Sequence, residues 1–440
     1  MNKPTVTLCM IVKDETHIIE QCLRSMVKHI DRYDITDTGS TDGTQDLIKK
    51  VMDESDIPGE IHQSDWKGFG DHAGQMGSRT ESLINAKKNG ADYAWVIDAD
   101  DYVDGNFSYP EPMDADAYSL QIGRDDFVWW RNQIFNLKHN WKYVGILHEY
   151  ATCEVPPDKI INTKLNGDYR IFARTEGNRN IGITPKEKYT RDAETILSAL
   201  KDEPENERYY FYLAQSYFDS QQWEKAAEAY QTRVDMGGWP EEVYYSMLRV
   251  ALLKGIMEKP FNEIQDAFLN TYNFRPTRAE PLWFLARMNR MNDRPVNCFM
   301  FARHALEIEY PQQDILFIQN DVYKWGLLDE IGATAYYAGR PDMGLKACKF
   351  LMENKEKLNI PREHWERIQS NLTSYNELMG HIEEQKTQAT EKTKLAENAK
   401  NELVKQRKKL EKTNKANTPK MSTKTPSVKD KYKKREKTKA

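Results

Sequence analysis

The apolar run Tyr93-Ala94-Trp95-Val96-Ile97 stops against three carboxylates in four residues, Asp98, Asp100 and Asp101. A short apolar run, β-branched in part, reads as a buried strand. Three carboxylates crowded at its end repel one another unless a cation sits among them. Asp98 and Asp100 are two apart, so an extended chain projects both from one side. A strand-end Asp-x-Asp is therefore a candidate site for a hard divalent cation, Mg2+ or Mn2+, and for the phosphates such a cation carries. The competing reading is an acidic loop with no role beyond solvation.

What precedes this run bears on that choice. Thr5 to Val12 is near-continuously apolar and reads as a buried parallel strand. The polar loop Lys13-Asp14-Glu15 follows, then helical spacing over His17–His29 through Ile18, Ile19, Cys22, Leu23 and Met26. Asp34-Ile35-Thr36 is a weak second strand. It runs into Asp37-Thr38-Gly39-Ser40-Thr41-Asp42-Gly43-Thr44, a tight turn with Asp42 as helix cap before a helix over Gln45–Met52. Another helix opens at Ser78 and closes at Asn89-Gly90. This alternation predicts an open parallel sheet with ligands outside the carboxyl ends of its strands. Val12/Lys13, Asp37 and Asp98 each lie at such an end and converge on one crevice.

Several familiar motifs are excluded. No G-x-G-x-x-G follows the first strand, and no P-loop occurs anywhere. An EF-hand beginning at Asp98 would place Val103 at its glycine position and Tyr109 at its final glutamate. Asp37-Thr38-Gly39-Ser40 spells an aspartic-protease signature, but that chemistry needs two such carboxylates and the chain has one copy.

Taken together, these residues carry a resemblance. Thr7-Leu8-Cys9-Met10-Ile11-Val12-Lys13-Asp14-Glu15, then Asp37 to Thr44, then Val96-Ile97-Asp98-Ala99-Asp100-Asp101, with Arg79 between, resemble the GT-A nucleotide-sugar glycosyltransferases of the family-two type. The resemblance covers roughly residues 5–150. It implies a Rossmann-like mixed sheet, a nucleotide diphosphate sugar donor, Mn2+ or Mg2+, and hexosyltransferase-like transfer to an acceptor hydroxyl. Matched position by position, Asp37 would contact the nucleobase and Asp98 the ribose or the metal. Asp100 would ligate the metal that bridges the diphosphate, with Asp101 beside it. Asp14 and Arg79 join Asp37 and Asp98 as the donor-binding set, Arg79 toward the phosphates. The family's usual Arg-Asn reads Arg79-Thr80 here.

Residues 105–175 alternate aromatic and polar character and read as antiparallel strands completing the sheet. Trp129, Trp130 and Trp141 are either core or sugar-stacking surfaces. Glycosyltransferases with trailing helical repeats, which the chain also resembles, carry a Tyr-x-Gly-x-x-His-Glu segment after the Asp-x-Asp. Here it reads Tyr143-Val144-Gly145-Ile146-Leu147-His148-Glu149. The resemblance makes His148 a metal ligand beside Asp98 and Asp100, or a diphosphate contact, and Glu149 a general base. Asp126, in Asp125-Asp126, is the competing base. The plain alternative is a polar strand end.

The hydrophobic period divides the rest. Residues 1–175 form the GT-A domain, and 176–205 read as a connector with a helix from Tyr189 to Leu200. From Glu207 the period becomes 3.6. Tyr210, Leu213, Ala214, Tyr217, Ala226 and Tyr230 fit a tetratricopeptide-like helix pair, broken at Gly237-Gly238-Trp239-Pro240. An all-α helical-repeat domain is expected over 206–380, and such stacks bind peptides or partner proteins, here including a protein acceptor. From 381 to 440 a charged, Lys-rich, disordered tail is expected, with a marginal helix over 383–410. Glu383–Ala440 holds 17 Lys and 2 Arg against 8 acidic residues, a net of +11; with the whole chain at −5, the remainder sums to −16. So acidic a body does not suit polyanions, whereas the tail reads first as a solvated charge run and otherwise as an adhesive segment for nucleic acid, a membrane surface or an acidic partner.

Five scattered cysteines without a Cys-x-x-Cys argue against a disulfide framework or a structural zinc and fit a reducing compartment. The longest apolar run, Val6–Val12, is too short to span a bilayer. The N-terminus lacks a signal-peptide pattern, so a cytoplasmic location is expected. Two functions from different classes stand side by side. One is a metal-dependent glycosyltransferase acting on a protein, glycan or modified nucleic acid. The other is a helical-repeat binding scaffold with a degenerate transferase domain.

Overall fold

The computed structural model describes residues 3–124, 127–174, 176–177 and 182–416. A mixed α/β sheet comes first and an all-helical region follows. β1 (Val6–Val12) pairs in parallel with β2 (Arg32–Asp37), and β2 with β3 (Gly59–Gln63). On its other side β1 pairs in parallel with β4 (Tyr93–Val96). The remaining strands are β5 (Tyr102–Gly105), β6 (Ala117–Arg124), β7 (Phe127–Asn136), β8 (Lys142–Val144), β9 (Tyr150–Thr152), β10 (Asn162–Lys164) and β11 (Tyr169–Phe172). The main sheet runs β3-β2-β1-β4-β7-β6-β11-β5, with β10 on β6, while β8 and β9 form a separate ribbon. β7 enters antiparallel to β4, so the parallel half ends there.

β1 is apolar along almost its whole length because both its faces are covered. Leu8, Met10 and Val12 share a core with Ile19, Leu23 and Met26 of α1 (Ile19–Met26) and Ile48, Val51 and Met52 of α2 (Thr44–Glu54). Cys9, on the opposite face, packs with Leu83 and Ala86 of α3 (Ser78–Lys88). Register then brings the strand ends together. Val12 lies opposite Asp37, and the Ile97 N–H reaches the Cys9 carbonyl at 3.4 Å. Of the three tryptophans, Trp141 is core at 6% exposure, whereas Trp129 is exposed and Trp130 lies under the Lys164 ammonium.

The expected connector is instead the first helical layer. α4 (Pro185–Ala199) opens with a capping box: Thr184 Oγ1 accepts the Glu187 N–H at 3.2 Å and Glu187 accepts the Thr184 N–H at 2.8 Å. Ala193, Ile196 and Ala199 share a core with Leu147 and with Phe211 and Ala214 of α5 (Glu207–Asp219). Thr184→Ala should cost about 1 kcal/mol of stability in chemical denaturation, and Thr184→Ser should retain it.

The region continues through α6 (Trp223–Met236), α7 (Pro240–Ile256), α8 (Phe261–Phe274), α9 (Glu280–Met291), α10 (Pro295–Ala305), α11 (Leu327–Thr334), α12 (Pro341–Asn354) and α13 (Arg362–Ala416). In chain order α4 to α8 pack each on the next, and so do α10 to α13. Leu213, Ala214, Ala226 and Tyr230 are buried between them, at the spacing read from sequence. Gly344 allows α12 to meet α13, since a Cβ there would sit 2.2 Å from the Tyr375 ring.

The chain divides into two compact units, Met1–Leu285 with Ile308–Gln319, and Ala286–Glu307 with Asn320–Ala440. The division therefore falls inside α9 rather than near residue 205. α13 runs as one helix to Ala416, through the marginal solvated helix expected over 383–410 and a few residues beyond it, and its residues from Glu383 to Thr413 are exposed. Residues 417–440 lie outside the described residues. No described helix is long and apolar enough to cross a membrane.

Candidate active site

Loops at the carboxyl ends of β1 and β2 lock to each other. Asp14 Oδ1 accepts the Thr41 N–H at 2.7 Å, and the Asp14 N–H donates to Ser40 Oγ at 2.9 Å. Asp14, expected on the donor side, is thus a loop tie. Asp42 Oδ2 accepts the Thr16 N–H and its Oδ1 the Thr44 N–H, each at 3.0 Å. Burial alone would raise the Asp42 carboxyl, but these donors hold it well below the usual carboxylate range. Asp37 is different. Its Oδ1 accepts the Gly39 and Ser40 N–H groups at 2.9 Å, while Oδ2 is buried with no hydrogen-bond partner among the described residues.

β4 ends at Val96, and the chain turns before the carboxylates complete a strand. The Asp101 N–H closes on the Asp98 carbonyl at 3.0 Å. Asp98 and Asp100 therefore do not share one face of an extended strand, as the spacing led one to expect. Arg79 Nη2 donates to Asp98 Oδ1 at 2.5 Å and Arg131 Nη2 to Asp98 Oδ2 at 3.3 Å. Burial opposes charge on Asp98, but the two guanidinia hold its carboxyl well below the usual range. Asp98 keeps 28% of its side chain exposed. Arg79 Nε also lies 2.6 Å from Glu149 Oε1, with its N–H aimed off the oxygen, so this is a charge contact and not a hydrogen bond.

Asp100 and Asp101 are less well compensated. Asp101 is 5% exposed, and its nearest guanidinium is Arg131 at 3.7 Å. Burial, then the charge of Asp98, push its carboxyl up to about 8. The same two causes raise Asp100. Asp100 Oδ2 accepts the Gly177 N–H at 3.1 Å, and no described Arg or Lys forms an ion pair with it. A Cβ on Gly177 would stand only 3.1 Å from that oxygen. Arg174 Nε donates to the Asp100 carbonyl at 2.6 Å and Nη1 to Gln21 at 2.8 Å, fixing the turn from outside.

The raised Asp101 carboxyl has a measurable consequence. Between roughly pH 4 and pH 8 the folded chain keeps a proton that the unfolded chain has lost. Stability should therefore fall as pH rises through that window, by on the order of 1 kcal/mol per pH unit. With chelator present, Asp101→Asn should flatten the slope; an unchanged slope in urea titrations would reassign it to other groups.

His148 is not where a metal ligand is needed. Its ring stacks on Tyr212 at 4.0 Å and 10°, its φ is 53°, and its carbonyl accepts Arg208 Nη2 at 3.0 Å. Asp98, Asp100 and His148 do not form a three-ligand cluster within 4.8 Å; the one such group among the described residues is His139, Cys153 and Glu154. The aromatic partner on α5 holds the imidazole, whereas the resemblance implied a metal or diphosphate contact for it. Glu149, expected as base, is held by Arg79. Asp126, with Asp125, lies outside the described residues. Sequence reasoning missed Arg131 and Arg174. For Arg131 a signal existed, a single cation ending the aromatic run Phe127-Val128-Trp129-Trp130.

No family model and no curated protein matches the chain. Among solved structures, it is similar to MamA, at 16% identity over 40% of this chain and 98% of that one, with a TM-score of 0.31. PilF of Pseudomonas aeruginosa matches at 12% identity over 42% and 76%, with a TM-score of 0.33. YrrB, titled a TPR protein with an unusual peptide-binding site, matches at 8% identity over 42% and 84%, with a TM-score of 0.31. At these scores the likeness extends to no activity.

Proposed function

We propose that this chain is a metal-dependent glycosyltransferase that moves a sugar from a nucleotide diphosphate sugar to an acceptor hydroxyl. The observation that carries the reading is charge imbalance at the carboxyl edge of the parallel strands. Asp98 has two guanidinium partners, whereas Asp100 and Asp101 beside it are short of positive charge. An all-oxygen set of this kind fits Mn2+ or Mg2+. Asp100 and Asp101, with Asp98 at their side, would hold the cation, although their oxygens do not all lie within 4.8 Å of one another here and would have to close on it; when bound it supplies neutralising charge for a diphosphate leaving group. The unpartnered Asp37 Oδ2 is an acceptor for the N–H or O–H groups of the nucleoside. Arg79 and Arg131 orient Asp98 and keep it ionised. Trp129, exposed on β7, offers a face for a sugar ring.

The second reading, a binding scaffold with a degenerate transferase domain, is favoured by one feature: Asp98 is already satisfied by two arginines. Calorimetry with a panel of nucleotide diphosphate sugars, each with Mn2+ and with chelator, separates the two. Metal-dependent binding of one donor is expected. Absence of binding across the panel would overturn the transferase reading in favour of the scaffold.

A further inference from the structure

We propose that His139, Cys153 and Glu154 form a zinc-binding site, separate from the Asp98–Asp101 turn. The three sit on two neighbouring loops, one after β7 and one after β9. An imidazole nitrogen, a thiol sulfur and a carboxylate oxygen lie within 4.8 Å of one another. Tetrahedral zinc with N, S and O donors keeps them about 3.3–3.8 Å apart, so closure asks for a shift of about 1 Å.

Three features argue for an ion there. First, the imidazole has an outer partner of the kind a metal-bound histidine uses. His139 Nε2 lies 2.9 Å from Asp116 Oδ1, and in the tautomer with the proton on Nε2 the lone pair of Nδ1 is presented to an ion. Asp116 is well suited to this part. Burial would raise its carboxyl, but Lys138 and the Ile161 N–H hold it well below the usual range. Second, that lone pair faces another acceptor, with Glu154 Oε1 3.4 Å from His139 Nδ1. Two acceptors face to face require a positive species between them, either a proton or a metal ion. A sulfur within the same radius favours the metal, because borderline zinc takes all three donor types. Third, the loops are fixed in advance. Lys87 Nζ donates to the His139 carbonyl at 3.1 Å and to Asn140 Oδ1 at 2.8 Å, and the Asn140 N–H donates to Glu154 Oε2 at 2.9 Å.

Glu154 is exposed and Cys153 and His139 are half-buried, so an ion can enter from solvent. On binding, the Cys153 thiol proton leaves to bulk water and the thiolate ligates. Three protein ligands leave the fourth position to water or to another donor. The expectation from sequence, that scattered cysteines argue against structural zinc, weighed Cys-x-x-Cys spacing and not a mixed donor set.

The test uses the full chain, reduced and stripped with chelator, and titrates it with Co2+ as a spectroscopic stand-in, then Zn2+. One equivalent of Co2+ should give a thiolate-to-cobalt absorption band, which Zn2+ removes. Cys153→Ser should abolish the band and weaken Zn2+ binding at least about 10-fold, and Asp116→Asn, which touches no ion, should weaken it about 10- to 100-fold. Asp100→Asn should leave the band intact, separating this site from the donor site. Zn2+ should also slow alkylation of Cys153, the other four cysteines being buried. Absence of the band in the wild-type chain, or a band surviving Cys153→Ser, would overturn the proposal and leave His139 as a side chain hydrogen-bonded to Asp116.

Discussion

Arg79→Met should destabilise the chain by about 3–5 kcal/mol, read as a lowered urea midpoint at pH 7. Arg79 is 11% exposed and stands between Asp98 and Glu149, themselves 28% and 13% exposed. Met matches the stem of the side chain, so packing survives and the loss falls on charge. Two carboxylates would remain in a largely enclosed place, with Arg131 as the only nearby described guanidinium for Asp98. Removing one partner of such a pair costs far more than the pair contributes, because an uncompensated charge stays behind. The sign of its pH dependence follows. Depression of the Asp98 carboxyl would largely disappear, so the variant's deficit should be full at neutral pH and shrink as acid protonates Asp98 in both proteins. Arg79→Lys should fall between, since one ammonium cannot reach both oxygens in the geometry of a planar fork. A deficit below about 1 kcal/mol for Arg79→Met would show that Arg131 alone compensates the turn.

Much of the sheet is legible in sequence because its parallel strands are buried on both faces. Val6–Val12 and Tyr93–Val96 read as apolar runs, and their covering helices show helical spacing in Ile19, Leu23 and Met26. β3 gave no such signal. It is a partly exposed edge strand, Gly-Glu-Ile-His-Gln, with one aliphatic residue. α4 was placed too late because its stop signals, Thr184-Pro185, are also start signals, a cap followed by proline at the first turn. The site was legible as composition and not as geometry. Residue spacing identifies Asp37, Asp98 and Asp100, but which carboxylate carries compensated charge depends on Arg79 and Arg131, which arrive from α3 and β7. Likewise, nothing local to His148-Glu149 shows that the histidine stacks on a tyrosine 64 positions later in the chain, Tyr212 of α5.

Asp100→Asn should abolish metal-dependent donor binding and lower turnover by about 10²- to 10³-fold, equivalent to about 3–4 kcal/mol of lost charge stabilisation. The geometry makes Asp100 the sharper probe than Asp98. Neutralising Asp98 would free Arg79 and Arg131 and disturb the fold, so a loss of activity there would be ambiguous. Asp100 has no described guanidinium on its carboxylate, and its carboxyl is raised by burial and by Asp98. Asparagine keeps the Oδ acceptor for the Gly177 N–H and removes a charge that repels its neighbours. Folding stability should therefore hold or rise slightly, which a urea titration in chelator checks alongside the activity assay. A stable variant that no longer binds donor with Mn2+ places the cation at this turn. A variant with unchanged turnover would sink that assignment, since the two carboxylates short of compensating charge, Asp100 and Asp101, are what the transferase reading rests on.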